Sequence, residues 1–173
     1  MPVPFRNTVL ALLAVLAAWH TSLVIAAVFT LNDSGKNTSL SIRIGGGNIS
    51  TVTFNVPAAN TGSGTPVTGS EAIDIRLVIR APATAPLTGF LTVDSSVPLS
   101  NGAGGTIPLT SISWTSSDSS IPSGSFNGSA SQLLASFPSA ARIEATHTFM
   151  FANDTLYDPG TYNGQITYTW SAP

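Results

Sequence analysis

Alternation with a period of two is the property that most narrows what this chain can fold into. In IDIRLVI, Ile73, Ile75, Leu77 and Ile79 fall on one side and Asp74, Arg76 and Val78 on the other. LSIRI sets Leu40, Ile42 and Ile44 against Ser41 and Arg43, and TVTFNV sets Val52, Phe54 and Val56 against Thr51, Thr53 and Asn55. IEATHTFMF collects Ile143, Ala145, His147, Phe149 and Phe151 on one face. Successive side chains of a strand point to opposite faces, so these runs describe half-buried strands and not helices. In IPLTSISW the phase changes between Leu109 and Ile112, which predicts a bulge or bend near Thr110–Ser111.

The spacers between these runs, among them GGGN, NTGSGTP, APATAP, NGAGG and NDTLYDPG, are built from residues that supply positive or preset φ. SASQLLASF is the one stretch that could form a helical turn. About seven strands at this spacing predict an all-β fold: a single immunoglobulin-like antiparallel β-sandwich with Greek-key connections. There is no internal repeat and no compositional break that would divide the chain.

The N-terminus reads differently. Arg6 is the only charge ahead of TVLALLAVLAAW, an apolar run of signal-peptide length and too short to span a bilayer. Val24 and Ala26 are small residues at the third-last and last positions before a signal-peptidase cut. Residues 1–26 are therefore expected to be a signal peptide, and 27–173 a single exported domain; an uncleaved anchor helix is the competing reading. Past residue 26, five basic side chains (Lys36, Arg43, Arg76, Arg80 and Arg142) stand against eight acidic ones. Such a balance offers no basic patch for nucleic acid and no charge run for an anionic membrane. The chain contains no cysteine, so a domain entering an oxidising compartment must be held by packing alone. Five glycosylation sequons, at Asn32, Asn37, Asn48, Asn127 and Asn153, are what so Ser/Thr-rich a composition produces by chance.

Catalytic material is sparse. His147 is the only histidine past residue 26 and lies among apolar residues in a strand, as a core histidine would. No second histidine or thiol is present for a nitrogen–sulfur metal site. Asp154 and Asp158 flank a turn and read as turn residues more readily than as calcium ligands. No serine sits in a G-x-S-x-G elbow, and Gly45–Asn48 lacks the lysine and helix of a phosphate loop. Glu144 and Asp158 would be the paired carboxylates of a glycosidase, but no aromatic groove accompanies them. No enzyme, cofactor or metal is expected.

The most specific signal is the ending, DPGTYNGQITYTWSAP. Asp158, Gly160 and Tyr162 resemble the tyrosine corner that begins the sixth strand of many immunoglobulin-like sandwiches. Tyr162, Gly164, Ile166, Tyr168 and Trp170 then form one face of a long strand. Only Ser171, Ala172 and Pro173 follow, so the expected sandwich lacks its last strand, G. An unpaired edge there would be an aggregation hazard.

This ending resembles the G-x-Y-x-G termini of chaperone–usher pilins, specifically the alternate, colonisation-factor-type branch. The resemblance implies a non-enzymatic subunit of a fimbria or pilus, exported through the periplasm and displayed at the cell surface. Subunits of that class polymerise by donor-strand exchange and take part in adhesion. It further implies partners: copies of the chain or related subunits, a periplasmic chaperone and an outer-membrane usher. Tyr162, Gly164, Ile166, Tyr168 and Trp170 would line the acceptor groove. The donor would be the segment 27–35, with either Phe29 and Leu31 or Val28 and Thr30 directed inward. Asn32, Asp33 and Gly35 interrupt that donor's apolar series early. A self-complemented alternative therefore stands beside it, with Ala27–Asn32 or Leu40–Ile44 pairing beside the last strand within one molecule. The chain would then be a secreted β-sandwich acting as a cell-envelope or matrix binding module.

Overall fold

The computed structural model describes residues 20–33, 38–44, 51–79, 88–137 and 141–172. For the first two strands and Ala172 it is the backbone and its pairing that are described. The apolar core of the expected signal peptide (residues 8–19), the Gly45–Asn48 turn, the 81–86 spacer, the sequons at Asn37 and Asn48, and Pro173 lie outside these residues.

The described residues form twelve strands in two sheets: β1 (His20–Asp33), β2 (Thr38–Ile44), β3 (Thr51–Pro57), β4 (Val67–Ile79), β5 (Gly89–Asp94), β6 (Leu99–Ser100), β7 (Thr106–Ile107), β8 (Ile112–Ser116), β9 (Gly124–Ser125), β10 (Gln132–Phe137), β11 (Ala141–Phe151) and β12 (Thr161–Ala172). The first sheet runs β10-β5-β12-β1-β3, with the short β6–β7 pair attached to β12. The second runs β2-β4-β11-β8-β9. The all-β expectation holds.

The period-two faces meet in one apolar core. Val52, Phe54 and Val56 from β3 and Leu91 and Val93 from β5 come from the first sheet. Ile73, Ile75, Leu77 and Ile79 from β4 and Phe149 and Phe151 from β11 come from the second. The polar alternates Asp74, Arg76 and Glu144 remain outside. The predicted bend is a single 3-10 turn at Leu109–Ser111. It lets Leu109 and Ile112, three apart, both reach the core.

Three expectations need correction. SASQLLASF does not make a helical turn: Gln132–Phe137 is strand β10, paired antiparallel to β5 with a register shift between Leu133 and Ala135. That bulge lets the neighbours Leu134 and Ala135 both be buried, which strict alternation would forbid. The sheets are also not wholly antiparallel, because β1 and β12 run parallel. Finally, of the two segments offered as self-complementing neighbours of the last strand, Leu40–Ile44 does not lie there: it belongs to β2, paired to β4 in the other sheet, and β1 occupies the position beside β12.

Candidate assembly site

The site is built around β12, and its first residue is fixed by the corner. The Tyr162 hydroxyl donates to the Asp158 carbonyl at 2.9 Å, closing the DPGTY loop. Its ring is buried, and this burial, reinforced by the nearby Asp158 charge, raises the phenol pKa. Beside it the Asn101 Oδ1 accepts from the backbone N–H groups of Ala103 and Gly105, both at 2.9 Å. A Cβ at Gly105 would press on Asn101 and on the Tyr162 hydroxyl, so the loop packs directly against the corner.

Gly164 has a steric reason. Strand β6 meets β12 at the Asn163–Ser100 pair, and a Cβ at Gly164 would run into the Leu99 side chain. Further along, Ile166, Tyr168 and Trp170 are all fully buried, and the Trp170 ring lies across Gly89 and 6.0 Å from Phe137. Burial pushes the Tyr168 phenol pKa well above its ordinary value. The five residues expected to line an acceptor groove thus lie on the core side of β12. β5 hydrogen-bonds one edge of that strand and β1 takes the other.

The register of β1 is continuous over twelve pairs, from Ser22 opposite Thr161 to Asp33 opposite Ala172. Leu23, Ile25, Ala27, Phe29 and Leu31 stand opposite Tyr162, Gly164, Ile166, Tyr168 and Trp170. Among the candidate donor residues, Phe29 and Leu31 therefore pair with the core-facing positions, and Val28 and Thr30 with Thr167 and Thr169. The apolar alternation that looked short when read from residue 27 is long when read from Leu23. On its other edge β1 pairs antiparallel with β3, from His20 opposite Pro57 to Ala26 opposite Thr51. β1 runs through the expected cleavage point. Every residue that it pairs with β3 lies at or before Ala26, and seven of its pairs with β12 lie after it.

The other candidate residues fall elsewhere. His147 is fully buried, stacked 5.7 Å from the Trp114 ring and edge-on to Phe149, and neither ring nitrogen makes a hydrogen bond of ordinary geometry. Burial pulls its pKa down to about 4, with the Ile121 backbone acting weakly the other way. Glu144 lies on the outer face of the second sheet, bound to Arg76 at 3.1 Å and Arg142 at 2.9 Å. The Arg142 hydrogen bond and charge lower its pKa. It borders an open depression of about 320 Å³, across which Thr146 donates to Asp74 at 2.7 Å. Asp158, by contrast, sits in the loop that enters β12 of the first sheet, while Glu144 lies on β11 of the second. No group of three or more His, Asp or Glu side chains that could hold a metal occurs among the described residues.

Sequence reasoning missed the hub of the loop before β12. Asn153 is buried at φ +52°, and its Oδ1 accepts from the Gly62 N–H at 3.1 Å. Its Nδ2 donates to the carbonyls of Asn60 (2.9 Å) and Thr65 (3.2 Å) and lies 3.2 Å from the Ser63 hydroxyl. In the sequence it was only one of five sequons; in the fold its amide is enclosed and fully engaged.

The class defined by this geometry is an all-β protein of two packed sheets whose last strand is completed by its first. Among known proteins, no family model and no curated sequence matches the chain. No helix among the described residues is long and apolar enough to cross a membrane.

Proposed function

We propose that the chain is a structural subunit of a fimbria- or pilus-like surface assembly, an immunoglobulin-like sandwich that polymerises by donor-strand exchange and aids adhesion. One observation carries this reading. The strand completing β12 is β1 of the same chain, and the register sets Phe29 and Leu31 opposite Tyr168 and Trp170. The same pairing serves equally well between copies. Export through the periplasm to the cell surface, with a chaperone and an usher as assembly partners, belongs to the same reading.

The position of β1 within its own chain favours a second reading, a self-complemented secreted sandwich that binds cell-envelope or matrix material. Deleting Ala27–Leu31 separates the two. An assembly subunit loses filament formation under electron microscopy, and filaments that persist after the deletion refute the first reading. A self-complemented module is instead monomeric before deletion and aggregates after it.

A further inference from the structure

The expected signal-peptidase cut after Ala26 falls inside a strand, and this overlap has a physical consequence. Cleavage there removes all seven residues that β1 pairs with β3, His20–Ala26. It also removes the five that pair with Thr161–Gln165 at the start of β12. What is left is a slot between two strands that no longer touch a common neighbour. One wall is Thr51–Pro57, with Val52, Phe54 and Val56 on its core face, and the other is Thr161–Gln165, with Tyr162. Both walls present unpaired backbone groups, the condition that recruits another strand.

We propose that residues 20–26 are a placeholder strand: they close this slot in the precursor, and their removal by signal peptidase opens it for the Ala27–Asp33 segment of a second copy. The inference rests on the assembly reading above. The occupant follows from length and pattern. Set six residues along, an even shift that keeps the faces, Ala27–Asn32 stands against Thr51–Val56, with Phe29 and Leu31 in the places of Leu23 and Ile25, opposite Phe54 and Val52. The segment also already pairs, in its own chain, with the continuation of the same β12 edge, Ile166–Ala172. Each copy would give up Ala27–Asp33 and receive that of the next. Processing, and not folding, would then start assembly.

The test uses the full chain exported to the periplasm of a bacterial host. The N-terminus of the purified product is read by intact mass, and its oligomeric state by light scattering after gel filtration. A synthetic peptide of residues 20–26, HTSLVIA, is then added during refolding, alongside a control peptide carrying Leu23→Asp and Ile25→Asp. The proposal expects a chain that begins at Ala27 and self-associates, and a shift to monomer with the natural peptide only. A product that retains Ser22, or a processed chain that stays monomeric, overturns it. Peptide-sensitive oligomers that stop at closed dimers support the placeholder while refuting filament formation. Filaments insensitive to the peptide do the reverse.

Discussion

His147 should make this protein acid-sensitive at a pH where carboxylates are still ionised. Its ring is fully buried between Trp114 and Phe149, with no charged side chain contributing to its shift, and its pKa falls from 6.5 to about 4. A depressed folded-state value means that the unfolded chain binds the proton more tightly. The stabilisation is complete above pH 6.5 and declines as the pH falls through the window down to about 4, below which no more is lost. Linkage gives a loss of about 2 kcal/mol at pH 5 and about 3 kcal/mol in full. Asp94, Asp118 and Glu144 also have lowered pKa values, but their stabilisation is lost mainly below their ordinary values of 3.8 to 4.5.

The measurement is urea unfolding followed by tryptophan fluorescence at pH 7, 6 and 5, for the natural chain and for His147→Phe. Phenylalanine keeps an aromatic ring against Trp114 and cannot titrate. The variant's stability should be nearly flat over this range while the natural chain loses about 2 kcal/mol. Parallel curves for the two proteins would refute the assignment of the effect to His147.

Two further outcomes follow from hydrogen bonds in the loops. Tyr162→Phe removes the corner bond to the Asp158 carbonyl while keeping the ring in place. It should cost about 1 kcal/mol in the same unfolding assay, with an unchanged circular dichroism spectrum. Asn153→Ala strips the enclosed amide and leaves a Cβ-bearing residue at φ +52°. A loss of about 3 kcal/mol is expected, and Asn153→Gly, which tolerates that φ, should recover part of it.

Much of the fold was legible because β3, β4 and β11 each present one clean apolar face to a single core. Leu109 and Ile112 even betrayed their intervening turn, since a phase change in alternation requires a local break. The corner was legible for a different reason: Asp158, Gly160 and Tyr162 are adjacent in sequence, so the bond they make is local. Strand β10 was not legible, because Leu133 and Leu134 sit side by side and only the bulge against β5 reconciles them with a strand. Asn153 carried no pattern at all; its partners, Asn60 to Thr65, lie about ninety residues away. Most informative is β1. Leu23, Val24 and Ile25 satisfy the apolar end of a leader and the alternation of a strand equally well, and local sequence offers no means of choosing between them.

The parallel alignment of β1 and β12 has a mechanical consequence. Tension applied at the N-terminal end of β1 and the C-terminal end of β12 pulls the two strands along their own axes in opposite directions. The registered pairs, twelve in the uncut chain and the seven from Ala27 to Asp33 after the expected cut, then bear the load together in shear, whereas an antiparallel pair loaded from adjacent ends would peel open one bond at a time. The seam that joins the first strand to the last is therefore strongest along the direction in which a linear array of such domains would be stretched.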